Sequence, residues 1–100
     1  MKYQVTVDED LKELAIEYIE KRRSEMTTWE SLLAEKNFPN LSSLGHKMKG
    51  VGESYGFSDL TRLGAELETA AKACDLAKVT QTVTAIKDYV LNVEIKFEAA

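Results

Sequence analysis

The chain has 100 residues, 44% of them hydrophobic and 30% charged, which suits one small domain over residues 1–100 with a single modest core. A net charge of −4 argues against a partner whose phosphates must be neutralised, so nucleic acid is not the expected ligand. No apolar run approaches the ~20 residues needed to cross a bilayer, the opening Met1-Lys2-Tyr3-Gln4-Val5 lacks the apolar core of a signal peptide, and the lone Cys74 cannot form an internal disulfide. Together these features point to a reducing cytoplasm.

Residues Tyr3-Gln4-Val5-Thr6-Val7 alternate with the period of a strand, but the stretch is short and one strand cannot make a sheet. Helical signals begin at Thr6-Val7-Asp8-Glu9, where Thr6 with Glu9 forms a weak capping box and Asp8 is an alternative cap. Apolar residues then recur at Leu11, Leu14, Ala15, Tyr18 and Ile19, and again at Met26, Trp29, Leu32 and Leu33. Between them, the polar run from Glu20 to Glu25 contains no breaker. Residues 9–37 therefore read either as one long helix or as two with a kink near Ser24. The basic trio Lys21-Arg22-Arg23 within that run reads as a solvated face or as bundle-end ion pairs.

Residues 36–40 form the first clear turn, with Pro39 suited to the first turn of the next helix. That helix places Leu41, Leu44, Met48, Val51 or Gly52, and Tyr55 on one stripe, and Gly56 ends it. A further stripe runs through Phe57, Leu60, Leu63, Gly64, Leu67, Ala70, Ala71 and Cys74, with Ser58 as the expected N-cap and Cys74 as a buried structural thiol. Asp75 caps the last helix, whose apolar seam is Val79, Val83, Ile86, Val90, Val93 and Phe97. The expected fold is all-α. Short connections force neighbouring helices antiparallel, giving an up-down four-helix bundle with an additional N-terminal helix or half-helix.

The only histidine, His46, lies among four of the five glycines, at positions 45, 50, 52 and 56. On an ideal wheel of 100° per residue with Leu41 at zero, the apolar stripe centres near −30° and His46 falls near 140°, roughly opposite the core. A core histidine is thereby disfavoured. Ser42, Ser43, Lys49 and Gly50 share its patch of surface, and three of these four are small, so the imidazole stands accessible. Gly50 costs about 1 kcal/mol relative to alanine inside a helix. That cost makes sense on a face that another protein must approach closely. Gly45 and Gly52 lie nearer the buried side and suit close helix packing. Lys49, one turn beyond His46, offers an ammonium to an anion carried on the ring.

The pattern His46-x-x-Lys49-Gly50, with Gly56-Phe57 and Leu60 downstream, resembles the signature of histidine-containing phosphotransfer (HPt) domains. The longer run Gly-His-x-x-Lys-Gly-x-Gly-x-x-Tyr-Gly-Phe is more specific than the five-residue core, and the similarity extends over most of the chain. The resemblance implies a four-helix bundle with His46 as phosphoacceptor, Lys49 as the supporting cation, Gly50 as the clearance residue and Gly56 at the end of the motif helix. Met48 stands where the family often has leucine, and Lys47 adds a second cation that the motif does not define. Ser42, Ser43, Lys47 and Gly50 are the expected partner-facing residues. The implied partners are a response-regulator receiver domain, a histidine kinase or both, and the chain is expected to be monomeric.

Phosphoryl transfer depends on in-line geometry and charge neutralisation more than on covalent help. Neutral imidazole, with an unperturbed pKa of ~6.5, is a good nucleophile near neutral pH. An exposed convex helix supplies only part of the rest, so the acceptor carboxylate and a divalent metal are expected on the partner. No cofactor is expected on this chain. Kinase equipment is missing: Gly45 to Gly50 has P-loop spacing, but Val51 follows instead of Lys-Ser/Thr and no strand precedes it. The chain therefore reads as a phosphoryl carrier and not an enzyme. A carboxylate-bridged di-metal bundle would need inward Glu-x-x-His pairs, whereas Ser43 precedes His46 by three. A helix-turn-helix DNA reader would need a basic recognition face. The surviving alternative is a helical adaptor without phosphate chemistry. Met1 and the short ends favour a free-standing protein over a fragment of a hybrid kinase.

Overall fold

The computed structural model describes residues 3–99. Its elements are strand β1 (Tyr3–Asp8), a 3₁₀ turn (Glu9–Leu11), helices α1 (Lys12–Ser24), α2 (Met26–Ala34), α3 (Phe38–Tyr55), α4 (Ser58–Lys72) and α5 (Leu76–Asn92), and strand β2 (Val93–Glu98). The molecule is predominantly helical, in keeping with the expected class.

The sheet corrects the sequence reading. β1 pairs with β2 in parallel, in the register Tyr3↔Val93, Val5↔Ile95 and Val7↔Phe97. Residues 93–97 had the spacing of a continuing helix because Val93 and Phe97 are four apart. Ile95 between them gives the alternation Val-Glu-Ile-Lys-Phe, and β-branched and aromatic residues favour the pleat. The last helix therefore stops at Asn92, where Val93 turns extended (φ −67°, ψ 130°). A two-stranded sheet is marginal alone. Here its apolar face, with Val7 and Val93 buried and Val5, Ile95 and Phe97 partly so, lies against the helical core.

The N-terminal third is two helices, divided at Glu25 (φ −94°, ψ 0°), whose N–H turns back to the carbonyls of Arg22 and Arg23. Of the two candidate starts, Asp8 is the cap that forms, accepting from the Asp10 N–H. Asn37 caps α3 by accepting from the Asn40 N–H, with Pro39 in the first turn. Asp75 caps α5 through the Lys78 N–H. The expected cap at Ser58 is corrected: Phe57 takes the N-cap position (φ −82°, ψ 73°) with no side-chain bond, and Ser58 is the first residue of α4. Cys74 is also corrected. α4 ends at Lys72, so Cys74 leaves the buried stripe, adopts φ 55° and is exposed.

The core gathers Trp29, Leu41, Met48, Phe57, Leu60, Leu67, Val79, Val83, Ile86, Tyr89 and Val90, all essentially inaccessible. α3 packs closely on α4, α4 on α5, and α1 and α2 on α5, with α2 also against α3. The α3–α4 contact is set by glycine. A Cβ on Gly45 would stand 2.6 Å from the Glu68 nitrogen and the Gly64 oxygen. One on Gly64 would stand 2.6 Å from the Lys49 nitrogen, and one on Gly52 2.6 Å from Thr61 Oγ1. The two backbones touch, which brings side chains at the margins of both helices within bonding reach of each other.

Candidate functional site

His46 projects from the middle of α3 with 68% of its side chain exposed. Its Nδ1 lies 3.0 Å from Oε2 of Glu68 on α4. Lys49 Nζ, one turn along α3, donates to Oε1 of the same carboxylate at 3.4 Å. Lys72 Nζ, one turn along α4, lies 3.4 Å from Oε2. Glu68 is thus a bridge between an imidazole and two ammonium groups, and only 16% of its side chain is exposed.

Electrostatics determine the ring's tautomer. Partial desolvation works against ionisation of Glu68. The Lys49 hydrogen bond and the Lys72 charge outweigh it and hold the carboxyl below the usual carboxylate range. An ionised carboxylate only accepts hydrogen bonds. Nδ1 therefore carries the proton and donates to Glu68, and in the neutral ring the lone pair is left on Nε2, at the far edge of the imidazole. The carboxylate also fixes the ring's rotation, as a partner on one nitrogen orients the other in histidine sites generally.

Gly50 follows one turn after His46 on the same face, and a Cβ there would meet nothing within 4 Å. Ser43 and Lys47 are exposed on the flank of α3 that faces α1 and α2. Ser42 is half-buried on the other flank, in a small hollow of about 290 Å³ with Phe38, Pro39, Ala71, Lys72 and Cys74. Gly56 adopts φ 80°, the left-handed conformation that glycine takes without strain, and closes α3 with its N–H on the Gly52 carbonyl. The structure therefore brings His46, Lys49 and Gly50 onto one surface and leaves Gly56 at the helix end.

Sequence reasoning missed Glu68 and Lys72. Glu68 is 22 positions from His46 and belongs to another helix. The glycines Gly45 and Gly64 let the helices touch, with His46 beside the first and Glu68 one turn beyond the second, but only the fold shows that these two glycines face each other. Among the described residues, no group of three or more His, Cys, Asp or Glu is placed to hold a metal ion, and no helix is long and apolar enough to cross a membrane.

The Hpt domain family model matches residues 4–95 of the chain. The chain belongs to this family of phosphocarrier modules, which serve histidine phosphotransfer in two-component phosphorelays. No curated protein and no solved structure matches it.

Proposed function

We propose that the chain carries a phosphoryl group on Nε2 of His46, to or from the aspartate of a receiver domain, with its helices forming the up-down bundle that presents this residue. The observation that carries the reading is the exposed imidazole held at Nδ1 by the ionised Glu68. A proton fixed on Nδ1 leaves Nε2 as the nucleophile. When Nε2 attacks phosphorus, the N–P bond forms as the bond to the donor oxygen breaks, and the donor carboxylate or nucleotide departs with the electron pair. The ring becomes a phospho-imidazolium, and the Glu68 carboxylate offsets its positive charge while Nδ1 keeps its proton. In the reverse direction the receiver's aspartate oxygen attacks phosphorus and the ring leaves as neutral imidazole.

Lys49 is the cation placed to meet the phosphoryl oxygens, since its Nζ already reaches across the face of α3 toward the ring's partner. Ser42, Ser43, Gly50 and Lys47 surround the ring as the surface that a partner must meet. The acceptor carboxylate and the divalent metal come from that partner, so the domain relays phosphate and performs no kinase reaction.

The reading is tested by incubating the full chain with phosphorylated receiver domains and magnesium, then stopping samples in acid and in alkali. Label is expected on the chain, lost in acid and retained in alkali, as a phosphoramidate behaves. Acid-stable label would move the site to a hydroxyl such as Ser42, Ser43 or Ser54 and overturn the proposal. A second expected outcome concerns Glu68→Gln. The amide keeps the shape and can still accept from Nδ1, but it no longer offsets the charge that develops on the ring. Transfer is expected to slow by about tenfold or more, with circular dichroism and the melting curve nearly unchanged. An unaltered rate in rapid-quench kinetics would remove Glu68 from the mechanism.

A further inference from the structure

On the flank of α3 away from Glu68, a cleft of about 570 Å³ opens between α3 and the α1–α2 junction. Lys21, Arg22, Glu25 and Thr28 line one wall and Ser43 and Lys47 the other, with Trp29 at its base. Three cations and one carboxylate give the lining a positive excess on a chain whose net charge is −4. Glu25 is already engaged by Arg22 Nη2 at 3.1 Å. The Arg22 guanidinium lies 4.7 Å from the centre of the Tyr18 ring and is mostly buried, so it is held in place before any ligand arrives. Lys21 and Lys47 are exposed and have no carboxylate partner among the described residues. Two members of the basic trio, Lys21 and Arg22, thus share this cleft with two residues of the His46 helix, while Arg23 turns away and donates to the Val90 carbonyl.

We propose that this cleft is a docking groove for an acidic segment of the receiver domain that exchanges phosphate with His46. Two observations select that occupant. The lining is complementary to carboxylate side chains, and Ser43 and Lys47 are neighbours of His46 on α3, so a partner seated over the ring lies directly above the groove. The proposal rests on the phosphotransfer reading. In this arrangement, the groove sets affinity and orientation, while Glu68 and Lys49 on the opposite flank serve the chemistry. Charges of this kind act mainly on encounter rate and partner choice, and their effect falls as salt rises.

The test uses the double variant Lys21→Glu with Thr28→Glu, two exposed positions that reverse the sign of the groove without touching the core. Its partner is the receiver that accepts phosphate fastest from the unaltered chain in a screen of purified receivers. The KM for that receiver is expected to rise by about tenfold at low salt and by much less at high salt. The transfer rate at saturation and the labelling of His46 by phosphoramidate, a small donor that needs no docking, are expected to stay unchanged. An unchanged KM, or an equal loss with phosphoramidate, overturns the groove. In a parallel arm, the ¹⁵N-labelled chain is titrated with a blocked polyglutamate peptide. Shifts confined to Lys21, Arg22, Thr28, Trp29 and Lys47 support the groove, and shifts spread over all lysines or absent from these residues overturn it. If the unaltered chain takes no phosphate from any donor, the phosphotransfer reading fails, while the titration still decides whether the cleft binds carboxylates.

Discussion

His46→Gln abolishes acid-labile phosphorylation of the chain and all transfer to receivers, while leaving the fold and receiver binding in place. The glutamine amide fills a similar volume and can hydrogen-bond to Glu68, but its nitrogen has no available lone pair, so no N–P bond forms. His46 is two-thirds exposed and is not one of the buried residues of the core. Substitutions at such surface positions shift stability by within about 0.5 kcal/mol. Loss of label therefore cannot be blamed on unfolding, and a thermal melt of the variant checks this directly. The transfer assay separates the two functional readings, and calorimetric titration with the receiver shows alongside it that binding is retained. In a phosphocarrier the variant binds its partner and passes nothing on. In a helical adaptor neither the unaltered chain nor the variant passes phosphate, and both bind the partner. Transfer that persists in His46→Gln would equally exclude His46 as the carrier.

How far the sequence could reach is clearest in particular residues. His46, Lys49 and Gly50 were legible because they lie on one helix, where a 100° step is enough to place them on one face. The cap at Asp75, the place of Pro39 in the first turn of α3 and the stop at Gly56 concern positions within a few residues of each other, and there local chemistry decides. Glu68 was illegible because its role arises from two helices touching at Gly45 and Gly64, and no periodicity within either helix reports their relative placement. β2 failed for a different reason. Spacing of four fits both a helix and a strand, and the tie is broken by β1, some 90 residues away in the parallel register. Cys74 shows the limit of extrapolating a stripe. It has the right phase, but the helix ends two residues earlier and carries the thiol out to solvent.

Three glycines in helical surroundings are expected to respond to alanine with opposite signs. At Gly50 the new methyl meets nothing within 4 Å, and alanine is favoured over glycine in a helix by about 1 kcal/mol. Gly50→Ala should raise the melting temperature by roughly 4–8 °C for a domain of this size. At Gly45 and Gly64 the same methyl would lie 2.6 Å from backbone nitrogen and oxygen atoms of the facing helix, and backbone cannot swing aside as a flexible side chain can. Separating α3 from α4 opens a contact that also packs Met48 and Leu67, and overpacking of this kind costs about 1–3 kcal/mol. Even after the gain in helix propensity, Gly45→Ala and Gly64→Ala should lower the melting temperature. They should also slow transfer in the fraction that remains folded, because a wider separation draws the Glu68 carboxylate away from Nδ1 of His46. Gly50→Gln completes the comparison: it should leave the melt within about 1 kcal/mol of the unaltered chain yet slow transfer by shading the ring. If Gly45→Ala proves as stable as Gly50→Ala, the backbone contact does not set the helix separation, and the placement of Glu68 beside His46 needs another cause.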